Sequence, residues 1–161
     1  MNPLLLILII LIIVFLVWII WVRPQNSNNP TNVSFSSALG PDEEVPPAIS
    51  EGEGVMNVGN LSADRNTFTY EIHVRNLTGT PTAAHFHRGP RGQNGPIVKG
   101  LRIQRDENGD FMSGGVWSVT DTTQPLTADL VEDLLSGNIY INYHTRRYPD
   151  GEIRGQVERE L

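Results

Sequence analysis

From Leu4 to Val22 the chain carries no polar side chain: LLLILIILIIVFLVWIIWV. Those 19 residues rise roughly 28 Å as a helix at about 1.5 Å per residue, enough to cross a bilayer. Trp18 and Trp21 stand near the end of the run, where indole rings favour the membrane interface. No Lys or Arg precedes the run and no A-x-A-like cleavage site follows it. Residues 1–23 therefore read as an uncleaved transmembrane anchor rather than a cleaved signal peptide. The next nine positions, 24–32 (PQNSNNPTN), are polar with two prolines, the composition of a linker. A domain follows over 33–161.

In that domain the apolar positions recur with period two. In TFTYEIHVRNL, Phe68, Tyr70, Ile72 and Val74 alternate with Thr69, Glu71, His73 and Arg75. In NIYINYHT, Ile139, Ile141 and Tyr143 alternate with Tyr140, Asn142 and His144. Each pattern predicts a strand with one face buried and one wet. Shorter candidates are VSFSSAL (33–39), GVMNVGNL (54–61), AAHFH (83–87), PIVKGL (96–101), FMSGGVWSV (111–119) and GEIRGQVE (151–158). Turn-forming stretches rich in Gly, Pro, Asn and Asp separate them: LGPDEEVPP, ADRNT, RDENGD and YPDGE. One stretch changes period. In LTADLVEDLLSGN (126–138), Leu130, Val131, Leu134 and Leu135 fall at helical spacing. Thr127 is its N-cap, Asp129 lies in its first turn and Gly137 is its stop. Seven or eight short strands and one short helix predict an all-β, antiparallel β-sandwich.

Charge and composition narrow the function. After the anchor stand 11 basic and 18 acidic residues, a net charge of −7, which argues against a nucleic-acid partner. The chain has no cysteine, which excludes a disulfide framework and any thiolate metal site. Arg23 is the one charge flanking the anchor; by the positive-inside rule it draws the domain toward the cytoplasm. The sequons at Asn32, Asn60 and Asn76 suit the other side. We read the domain as extracytoplasmic.

Two of the four histidines stand one residue apart in AHFHRGPRGQNGPIV (84–98). Ala84 and Phe86 are the apolar partners, so His85 and His87 share the opposite strand face. His144 likewise points away from Ile139, Ile141 and Tyr143. If the two strands are neighbours, three imidazoles meet on one polar face. Such a donor set suits copper first and zinc second, not Mg or Ca. His73 reads as a solvated residue beside Glu71 and Arg75. RGPRGQNGP (88–96) lacks the spacing of a phosphate loop, and no helix follows it; it reads as a strand connection. Glu152 and Arg154 fall on one strand face, as an ion pair or with Glu152 orienting a ligand imidazole.

Taken together, AAHFHRGPRGQNGPIV, LTADLVEDLLSGNIYINYHT, YPDGEIRGQV and the opening SFSSALGPDEEVPPA resemble the CHRD domain, named for chordin, over about residues 34–157. The resemblance implies an immunoglobulin-like or Greek-key β-sandwich, exported and attached to a membrane or to other domains. It makes His85, His87 and His144 family-typical positions without making them ligands. A fainter similarity runs to copper/zinc superoxide dismutases, which carry a His-x-His pair on a strand. This chain lacks their cysteines and long zinc loop, so a dismutase here would be copper-only, with Arg88 or Arg91 steering the anion. The expectation is a membrane-anchored CHRD domain that binds copper or acts as a scaffold. The alternatives are a copper-only dismutase-like redox enzyme, and a metal-free adhesion module with a protein partner at the cell surface.

Overall fold

The computed structural model describes residues 31–160. The apolar run read as a transmembrane anchor lies outside the described residues. Among the described residues no helix is long and apolar enough to cross a membrane.

The strands are β1 (Val33–Leu39), β2 (Glu53–Leu61), β3 (Thr67–Arg75), β4 (Pro81–Arg88), β5 (Ile97–Gly100), β6 (Ile103–Arg105), β7 (Phe111–Ser118), β8 (Ile139–Thr145), β9 (Ile153–Gln156) and β10 (Glu158–Arg159). Among the described residues one α-helix, α1 (Ala128–Leu135), precedes β8. Six strands form one sheet in the order β10-β1-β2-β3-β7-β6, and four form the other in the order β5-β4-β8-β9. Among the described residues every strand pair is antiparallel. The result is the all-β antiparallel sandwich that the alternation predicts.

The helix begins and ends where its sequence says. The Thr127 side chain accepts from Leu130 N, which satisfies one of the free first-turn amides. Gly137 takes φ +71° just past the end, which turns the chain directly into β8. Two details were not anticipated. β6 is three residues long with little burial, so no alternation announces it. GEIRGQVE divides between the sheets: β9 pairs with β8, while β10 pairs with β1. Between them Val157 is fully buried, and its N–H donates to Ile139 O at 2.9 Å.

The core lies between the sheets. Phe68, Tyr70, Ile72 and Trp117 from the larger sheet meet Ala84, Phe86, Ile139, Ile141 and Tyr143 from the smaller one. Phe86 stacks on Trp117 at 5.7 Å between ring centroids and meets Tyr70 edge-on at 5.1 Å, both favoured aromatic arrangements. Burying Phe86 commits its neighbours His85 and His87 to the opposite face, because strand side chains alternate. β4 lies directly beside β8, with Ala83 opposite His144, His85 opposite Asn142 and His87 opposite Tyr140. His144 therefore sits on the diagonal from His85, within reach of a long side chain.

Candidate metal centre

The second face of the four-stranded sheet is not wet. Tyr140, Asn142, Arg154 and Gln156 are all buried there, and His87 is only 8% exposed. Two connections cover it. The first runs from β1 through a 3-10 turn (Pro41–Glu43) to about residue 49. The second is the loop 88–96 after β4. They are tied together where Asn94 Nδ2 donates to Val45 O at 2.7 Å and Arg91 pairs with Glu43. They are tied to the sheet where Gln156 Nε2 donates to Gly89 O at 2.9 Å and to Gly137 O at 2.7 Å. Arg154 lies flat on the Tyr140 ring, its Cζ 3.6 Å from the centroid, and donates to Pro90 O at 3.0 Å. The loop so held is the connection that its Gly and Pro content suggested, now serving as a lid over the polar face.

Under that lid the three histidines meet. One nitrogen of each ring lies within 4.8 Å of the others. His85 Nδ1 stands 3.1 Å from His144 Nε2. The local surroundings fix which nitrogens are available. His87 Nδ1 lies 2.9 Å from Gly95 O, and His144 Nδ1 lies 3.0 Å from Pro149 O. A carbonyl only accepts, so both Nδ1 atoms carry the proton and both Nε2 atoms keep a free lone pair. His87 Nε2 is buried with no hydrogen-bond partner at all, a rare state for an imidazole nitrogen. His87 also stacks on the other side of Tyr140, at 4.8 Å and 12°, so the ring is clamped between Tyr140 and the cluster.

The donor set fits a borderline transition-metal ion. Two nitrogens bound to one ion at about 2.0–2.1 Å stand at most about 4.2 Å apart. The 3.1 Å pair already meets that limit, and all three nitrogens lie within 4.8 Å of one another. The rings also hold the protonation state that ligation needs. Burial, together with His144 and His87, pushes His85 down to about 4. Burial pushes His87 down against the opposing bond to Gly95. It pushes His144 down against Pro149 and Asp150.

A family model, the CHRD domain, matches residues 35–157. The chain belongs to the CHRD domain family. No curated protein and no solved structure matches the chain. All three clustered histidines lie inside the CHRD match, as does the lid that covers them.

Other residues singled out from the sequence do different work in this CHRD domain. Glu152 and Arg154 do not pair with each other, and Glu152 does not orient an imidazole. Its carboxylate is already filled by Ser50 Oγ, Thr78 N and Oγ1, and Thr145 Oγ1. Burial raises its pKa, but those bonds outweigh burial and hold it low. Arg154 is engaged by Tyr140 and Pro90 instead. The His87 and His144 imidazoles are oriented by backbone carbonyls, which no side-chain pattern reveals. His73 lies on β3 in the other sheet, bonded to Glu71 at 2.9 Å, and is no part of the cluster. Arg88 pairs with Asp133 at 2.7 Å, and Arg91 bridges Glu43 and Glu158, so both cations are neutralised locally. Sequence reading missed Gly95, Pro149, Tyr140 and Asn142. The last two stand on the same strand face as His144, and that alternation was the available signal.

Gly95 admits no side chain. A Cβ there would lie 1.8 Å from Arg88 O, so Gly95→Ala forces the lid off β4 and removes the acceptor from His87. We expect a loss of about 2–4 kcal/mol in denaturant unfolding, with the His87 ring losing its fixed tautomer in nitrogen-15 spectra. The imidazoles also set a pH dependence. Their folded pKa values lie below the ordinary 6.5, so below that pH the unfolded chain takes up protons that the folded one refuses. Stability of the chelator-treated protein therefore falls as pH drops from 6.5 toward about 4. His85→Asn should make that fall shallower in pH-dependent unfolding. An equal slope in both proteins would contradict the assignment.

Proposed function

We propose that this protein is a membrane-anchored, extracytoplasmic CHRD module that binds one transition-metal ion through His85 Nδ1, His87 Nε2 and His144 Nε2. Copper is the first choice and zinc the second. The observation that carries the reading is the convergence of three neutral imidazoles, one with a buried lone pair that nothing else satisfies. An ion held there would bring redox chemistry if copper and Lewis acidity if zinc. The chain's own part is to prepare the site. Gly95 and Pro149 fix two rings as Nε2 donors. His144 Nε2 is unprotonated, so the 3.1 Å contact places the proton on His85 Nδ1. Moving that proton to His85 Nε2 frees the third lone pair without changing the charge of the ring. The lid keeps water from His87, while His85 and His144 remain half-buried.

The dismutase-like alternative draws no separate support from the geometry, because Arg88 and Arg91 are held in ion pairs away from any steering role. The binding module is the better reading.

The full-length chain, kept in mild detergent and stripped with chelator, should bind Cu(II) and Zn(II) one-to-one in calorimetry. Because ligand imidazoles must be neutral and these rings are held below 6.5, affinity should be weaker at pH 5 than at pH 7.5. His144→Ala should lower affinity on the order of 100-fold or more while leaving the unfolding transition in place. No binding by the unaltered chain, or unchanged affinity in His144→Ala, would reject the site. For the anchor, the chain should sediment with membranes and become soluble when residues 1–23 are deleted. Membrane association that survives that deletion would reject the anchor.

A further inference from the structure

Glu44, on the connection after β1, is 6% exposed and reaches the same polar layer as the histidines. Its Oε2 lies 3.3 Å from Asn142 Nδ2. Its Oε1 is buried without a partner, and so is Asn142 Oδ1. The two orphaned oxygens face the same spot. A Cβ on Gly151 would lie 2.5 Å from Glu44 Oε1 and 2.6 Å from Asn142 Oδ1. Gly151, at φ +139°, leaves that space open. Two acceptors with no donor between them repel, and buried polar groups are seldom left so. A proton on Oε1 removes the carboxylate charge and makes that orphan a donor on the side where the unpaired Asn142 Oδ1 stands.

Charged groups approach Glu44 from each element packed around it. Arg154 on β9 favours the carboxylate, as does the bond from Asn142 on β8, but burial outweighs both and raises its pKa to about 7. Glu43 and Arg91 in the lid pair with each other, and Arg91 also reaches Glu158 near β10. Asp150 stands beside Gly151 in the turn after β8. His85, His87 and His144 share the sheet face, and all three are held neutral. Asn142 is the register partner of His85 and precedes His144 by two residues on β8. One side chain therefore separates Glu44 from the cluster.

We propose that Glu44 is the charge-compensating group of the metal centre: a neutral acid while the imidazoles hold no cation, and a carboxylate once they do. The inference rests on the metal-binding reading. The balance is simple. A divalent ion enters, the Glu44 O–H bond breaks, and the proton passes to buffer, so the layer gains one positive charge rather than two. The His85 tautomer change adds no proton to the count. Zinc or copper binding is thereby linked to pH through a residue that touches no metal.

The test is proton release on Zn(II) binding by the full-length chain in mild detergent. It is measured by calorimetry at pH 6.5 in two buffers of different ionisation enthalpy. The unaltered chain should release roughly half to one proton more per ion than Glu44→Gln, which still binds. Equal release from both would overturn the proposal. A second measurement needs no variant. In the unaltered, metal-free chain the infrared C=O stretch of a buried protonated carboxyl should persist to about pH 7 and disappear on adding Zn(II). Its absence below that pH, or its persistence with Zn(II) bound, would overturn the proposal. Failure of Zn(II) to bind would overturn the metal reading and the linkage with it. The carboxyl band of the metal-free chain would still report separately whether Glu44 is the neutral acid.

Discussion

The guanidinium of Arg154 has no exposed surface, and the polar half of this domain is arranged to accommodate it. A buried cation is costly unless its donors and its charge are met. Here the Tyr140 ring meets its face, and Pro90 O accepts from its edge. The second contact requires the loop after β4 to lie against the sheet. Once it lies there, Gly95 O is over His87 Nδ1 and Tyr140 is pressed between guanidinium and imidazole. The orientation of a candidate ligand is thus set by a residue that ligates nothing.

Glu152 closes the other end of the same layer. Its carboxylate gathers Ser50 from the connection after β1, Thr78 from the turn before β4, and Thr145, which follows His144. Charged acceptors with several donors are among the stronger hydrogen-bonded groups. The end of β8 that carries His144 is therefore tied to two other segments. Glu152 immediately precedes β9, which carries Arg154, and each of these opposite charges anchors a separate piece of covering chain. The imidazoles lie between these two fixed points.

Much of the sandwich was legible in the sequence because burial on one face imposes a period of two. Phe68 to Val74 and Ile139 to Tyr143 show it, and the same rule put His85, His87 and His144 on a common side. Adjacency was not legible. His85 and His144 are 59 positions apart, and only strand order brings them to 3.1 Å. The lid was less legible still. Tyr140 and Asn142 read as solvent-facing because they alternate with apolar residues, but Asn142 donates to Glu44, and beside them Arg154 and Gln156 donate to the Pro90, Gly89 and Gly137 carbonyls. Backbone partners leave no mark in side-chain periodicity. Glycine density in 88–96 was the one trace, and it signalled a loop without saying what the loop would cover.

The pairing of β1 with β10 has an architectural consequence. These strands run antiparallel, with Phe35 opposite Arg159, and Glu160 N donates to Ser34 O at 2.9 Å. The polypeptide therefore comes into the sandwich and goes out of it at neighbouring points on one edge of the larger sheet. A unit built that way can be spliced into a surface loop of a host protein through two short connectors, without prying the host apart. The same proximity suits a bead in a longer multidomain chain, where flanking modules would emerge from one edge of the larger sheet.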